Sequence, residues 1–111
     1  MEQLFYADIH NHLAKHAEQI KIHYSLDRIE IYEKQIKHDI IHLGYAVTVN
    51  QQTSRVYLRY LRIDQQRLLP FTPIWTIEKQ SFKRGYDSLI EALLSLNNQG
   101  DQQTRSRKLP S

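Results

Sequence analysis

Residues 27–63 read DRIEIYEKQIKHDIIHLGYAVTVNQQTSRVYLRYLRI, and the fold depends on where a helical period gives way to an alternating one. Ile29, Tyr32, Ile36, Ile40 and Leu43 share one face at helical spacing, and Ile41 widens the stripe. Asp27 followed three positions later by Glu30 is a capping-box pattern. Gly44 then offers the left-handed residue that commonly ends a helix. Together these predict a helix over 27–43. The competing reading makes RIEIYEK a strand, because Ile29 and Ile31 also alternate. The longer period and the glycine stop favour the helix.

Beyond Gly44 the period is two. Tyr45 to Asn50 alternates, QQTS provides turn residues, and Arg55 to Ile63 alternates again, which predicts a β-hairpin. With Asn50 facing Arg55 across a four-residue loop, Val49 pairs with Val56, Val47 with Leu58 and Tyr45 with Tyr60. Ala46, Thr48, Arg55, Tyr57 and Arg59 then occupy the opposite face.

The flanks are read from the same two periods. Phe5, Ile9 and Leu13 recur every four residues, which predicts a thin-striped helix over Glu2–Gln19, with 20–26 as a connection. Pro70 and Pro73 cannot donate to a ladder, so a third strand is expected at Ile74–Lys79. Ser88 with Glu91 caps a last helix whose apolar face is Leu89, Ile90, Leu93, Leu94 and Leu96. The expected fold is therefore α+β: a three-stranded antiparallel sheet with helices packed on one face, in the order α-α-β-β-β-α. Residues 1–98 form one domain, and 99–111, polar and without apolar periodicity, form a disordered tail.

Bulk properties narrow the function. A chain of 111 residues holds one core and little room for a large cofactor, and none is expected. The absence of cysteine excludes disulfides and thiolate zinc sites. Without a secretory pattern or a long apolar run, the expected location is the cytoplasm. The net charge of +3 is uneven: residues 54–84 hold seven Lys/Arg against two Asp/Glu, whereas residues 1–53 hold five against seven. Such a cluster steers an anionic partner.

The candidate site is the face holding Arg55, Tyr57 and Arg59, extended by Arg62, Lys79, Lys83 and Arg84. Guanidinium forks pair with phosphate oxygens, and a tyrosine between them stacks on a base. Lys83 and Arg84 also precede the last helix, where backbone amides attract anions. The order helix, three strands, helix looks broadly like a double-stranded-RNA-binding domain, although Ser88–Leu96 lacks Lys and Arg.

Histidines give two further patterns. His10-x-His12 after Asp8 resembles the metal-binding start of amidohydrolase barrels, which need a much longer chain. His12/His16 and His38/His42 are each spaced i,i+4, so two packed helices would bring four imidazoles together. There is no G-x-S-x-G, P-loop or cysteine nucleophile, and no catalytic residue is expected. The sequence thus predicts a non-catalytic accessory protein that binds nucleic acid through a basic and aromatic sheet face. Its rival is a protein–protein module, an inhibitor or adaptor of a larger machine, with Phe71 and Trp75 of PFTPIW as anchors. A homodimer through the first helix fits either.

Overall fold

The computed structural model describes residues 3–70, 74–78 and 83–96. A short strand β1 (Leu4–Phe5) leads into helix α1 (Tyr6–His23). The helix ends where Ser25 turns the chain with a φ of 55°, and the Leu26 amide donates back to the Lys21 carbonyl at 2.9 Å. The first helix is thus present but displaced by about one turn: it starts after a strand at Leu4–Phe5 and takes in residues 20–23 of the expected connection.

The second predicted helix does not form. Residues 27–43 instead supply β2 (Arg28–Lys37) and most of β3 (Ile40–Val49), an antiparallel hairpin turned at His38 and Asp39. The alternation of Ile29 and Ile31 prevails over the helical period, in line with the preference of β-branched side chains for a pleated surface. In β3 every second residue is buried on the helix-covered face: Ile41, Leu43, Tyr45 and Val47. A helix would have scattered those four around its axis. Gly44 is accordingly not a helix stop but the middle of a central strand.

β4 (Gln52–Arg62) pairs with β3 along its whole length, so the predicted hairpin is present. Its register differs. Asn50 and Gln51 alone form the turn, with φ of 53° and 68°, the signature of a tight type I′ reversal. Val47 consequently faces Ser54, Tyr45 faces Val56 and Leu43 faces Leu58, four positions from the expected partners. Four is even, so every side chain keeps its predicted face.

Three more strands complete the sheet: β5 (Arg67–Pro70), β6 (Trp75–Glu78) and β7 (Lys83–Tyr86). The order is β1-β5-β4-β3-β2, with β6 against the first half of β4 and β7 beyond it. The result is a seven-stranded antiparallel sheet with two helices, not the expected three-stranded sheet in α-α-β-β-β-α order. The likeness in element order to a double-stranded-RNA-binding domain falls with that correction. The last helix, α2 (89–96), is where the sequence places it, and the Glu91 amide donates to the Ser88 hydroxyl at 3.1 Å.

Both helices lie on one face. Leu13 of α1 and Ala92, Leu93 and Leu96 of α2 join Ile41, Leu43, Tyr45, Val47, Val56 and Ile77 in one core cluster. The buried Tyr45 hydroxyl donates to the Leu13 carbonyl at 2.8 Å and ties helix to sheet. Among the described residues no helix covers the other face. The predicted tail at 99–111 lies outside the described residues.

Candidate anion-binding site

The ladder registers define the uncovered face row by row. One row runs Tyr32, Gly44, Tyr57, Thr76, Gly85, and the next holds Lys34, His42 and Arg59. On the other side of Tyr57 stand Glu30, Ala46, Arg55, Glu78 and Lys83. Arg55, Tyr57, Arg59 and Lys83 therefore share the outer face, as alternation requires.

Tyr57 points outward yet is fully buried, and this corrects its expected role. Gly44 beside it has no side chain, so the phenol leans across that gap to within 5.7 Å of the Tyr32 ring, two strands away. An aromatic ring laid over a sheet glycine shields backbone that would otherwise be open. His42 stacks on it at 4.1 Å with an interplanar angle of 14°, and its hydroxyl donates to Glu78 Oε2 at 3.1 Å. Burial, then the charge of Glu78, pushes the Tyr57 phenol up to about 12, so it stays a donor. Covered on this scale, the ring cannot stack on a base. It backs His42 and Tyr32.

Those two residues belong to a concavity of about 320 Å³ lined by Tyr32, Lys34, Ile36, Lys37, Ile40, His42, Arg59, Glu78 and Lys83. Four cations face one carboxylate there. Lys34 and Lys37 are three apart and would fall on opposite faces of a regular strand. A bulge between Gln35 and Lys37 inserts Ile36 into the ladder, so Lys37 pairs with Ile40 and returns to the side of Lys34. The Arg59 Nε is buried and has no hydrogen-bond partner among the described residues. Such an orphan donor is costly to bury, and an incoming acceptor relieves it. His42 records the field of the site: burial first, then Arg59 and Lys83, push its imidazole down to about 4, with Glu78 opposing them.

The remaining candidates divide. Arg55 is exposed and lies over the Tyr32 ring at 5.5 Å. Arg62 pairs opposite Leu68 and Arg84 opposite Ile77, both core residues, which puts these two arginines on the helix-covered side. Lys83 and Arg84 sit in β7, ahead of α2, and the ladder puts Lys83 on the outer face, away from the helices. Lys79 lies outside the described residues. Trp75 is partly buried against the core, while Phe71 lies outside the described residues.

Lys34, Lys37 and His42 were missed because 27–43 reads as a helix, on which they fall outside any sheet face. The same correction separates the histidines. His12 and His16 lie with ring centroids 4.4 Å apart, tilted by 59°, on α1, but His38 is in the β2–β3 turn and His42 on the outer face. Among the described residues no group of three or more His, Cys, Asp or Glu is placed to hold a metal ion. Nor is any helix long and apolar enough to cross a membrane.

Residues 3–96 match a family described as a family of unknown function, DUF5634. The chain belongs to the DUF5634 family. The match takes in α1, all seven strands and α2 as far as residue 96, so the basic concavity lies wholly inside the DUF5634 domain. No curated protein matches the chain.

Proposed function

We propose that this DUF5634 protein is a non-catalytic module that binds nucleic acid through the outer face of its sheet. The supporting observation is the convergence of Arg59, Lys83, Lys34 and Lys37 on one concavity, with a buried Arg59 Nε that has no acceptor among the described residues. Phosphate oxygens are the acceptors that such a group of cations recognises, and their binding releases counterions. Tyr57 and His42 serve the site as a rigid base under the cations. This reading differs from the purely sequence-based one in its contacts: Lys34 and Lys37 enter, Arg62 and Arg84 leave, and Tyr57 becomes support.

A salt series tests it. Fluorescence anisotropy with labelled single- and double-stranded DNA and RNA should show affinity falling steeply as salt rises. Arg59→Gln and Lys83→Gln should each weaken binding and lower the salt slope by about one. Arg55→Gln should do less, because its guanidinium already lies over Tyr32. Wild-type protein that shows no salt-sensitive binding to any of the four nucleic acids would overturn the proposal.

A further inference from the structure

Building on the function just proposed, we infer that the concavity seats one phosphomonoester carried by a nucleoside, at a phosphorylated strand end or on a free mononucleotide, and not the internal phosphodiesters of a strand lying along the sheet. Three observations lead there.

The first is the distribution of charge. Lys34, Lys37, Arg59 and Lys83 surround a single space of about 320 Å³. Away from it the outer-face cations already have neighbours: Arg28 forms an ion pair with Glu30, and Arg55 lies over Tyr32 and opposite Glu78 in the ladder. A strand laid along a sheet meets a phosphate at every nucleotide and needs a file of cations to follow it. Among the described residues the outer face offers a cluster instead.

The second is the donor count. A phosphomonoester carries up to two charges and three terminal oxygens, whereas an internal phosphodiester carries one charge and two such oxygens. Three lysine ammoniums and a guanidinium whose buried Nε has no partner among the described residues match the former.

The third is the wall. Tyr32, Ile36 and Ile40 form an apolar side to a basic pocket. Inorganic phosphate would gain nothing from that side. A sugar and base attached to the phosphate would cover it, against the Ile36 and Ile40 side chains.

The test compares three oligonucleotides of one sequence bearing a 5′-phosphate, a 3′-phosphate or hydroxyls at both ends, each bound by the full chain, with adenosine monophosphate and inorganic phosphate as competitors. A terminal phosphate should tighten binding about tenfold or more. The double variant Lys34→Gln/Lys37→Gln, altered only at exposed side chains, should lose that increment even if Arg59→Gln folds poorly. Competition by adenosine monophosphate as effective as that by the phosphorylated strand assigns the free nucleotide as the source. Weaker competition assigns the strand end. Equal, salt-sensitive binding of phosphorylated and hydroxyl-ended strands would overturn the inference and leave the proposed function standing. Binding of the mononucleotide but of no strand would do the reverse.

Discussion

Gly44 and Tyr57 stand opposite each other in the β3–β4 ladder, so closely that a Cβ on the glycine would come within 2.6 Å of the Tyr57 Cα and strike the Val56 carbonyl. The obstacle is backbone of a central strand, which cannot swing aside as a side chain can. Gly44→Ala should therefore cost about 3 kcal/mol or more, at the upper end for overpacking. It should also shift the Tyr57 ring that backs His42 in the concavity. Urea denaturation measures the first effect, and a variant within about 1 kcal/mol of wild type would contradict it.

That glycine also marks the limit of what the sequence makes legible. In residues 27–43 a helical stripe and an alternating one overlap, and a local capping pattern at Asp27 and Glu30 tips the reading toward helix. Tertiary context reverses it. Asp27 does cap, but it caps the neighbouring turn: its Oδ2 accepts from the Asn50 amide at 2.8 Å. β3 becomes a central strand between β2 and β4, which no local pattern announces. Faces were legible where period two is strict, as for Tyr45, Val47, Val56, Leu58 and Tyr60. Burial of Tyr57 was not, because it depends on Tyr32 and Gly44, which the sequence reads as a helix residue and that helix's stop. The bulge at Ile36 that brings Lys37 beside Lys34 is likewise a property of pairing and not of local composition.

Tyr45 offers a measure of how firmly α1 is held. Its hydroxyl is buried and donates to the carbonyl of Leu13, which lies inside α1. A helix carbonyl has two lone pairs and keeps its intrahelical bond when the phenol is removed. Tyr45→Phe should thus cost only about 1 kcal/mol, the net worth of one hydrogen bond, without leaving an orphan acceptor. Hydrogen exchange should report the loss as faster opening of α1 specifically. Uniform loss of protection across sheet and helix would show that the bond has no local role.

The β3–β4 turn contains a strain that can be relieved. Asn50 tolerates positive φ, but Gln51 at 68° has no side-chain reason to be there. Gln51→Gly creates the Asn-Gly pair preferred in type I′ turns and should stabilise the protein by about 0.5–1 kcal/mol, after the entropy lost by glycine. The gain should appear as a higher urea midpoint with unchanged slope. An unchanged or lower midpoint would mean that the turn is not held in this form.

His42 makes the fold sensitive to mild acid. Its imidazole is pushed from an ordinary 6.5 to about 4 by burial, with Arg59, Lys83 and Lys34 adding to the shift and Glu78 opposing it, while the Tyr57 ring covers one face. The unfolded chain takes up a proton at this residue near pH 6.5 and the folded chain only near 4. In that interval the unfolded state binds more protons, so stability must fall as pH falls, by on the order of 2–3 kcal/mol across the whole interval. Above pH 6.5 the contribution is fully present and flat. His42→Phe keeps a ring stacked on Tyr57 and cannot take up a proton, so its stability should change less over the same interval. Subtracting the two urea-denaturation profiles isolates this one group from the carboxylates and the other histidines. A difference that does not grow as pH is lowered from 6.5 to 4 would show that His42 is not held neutral by its burial and the cations around it.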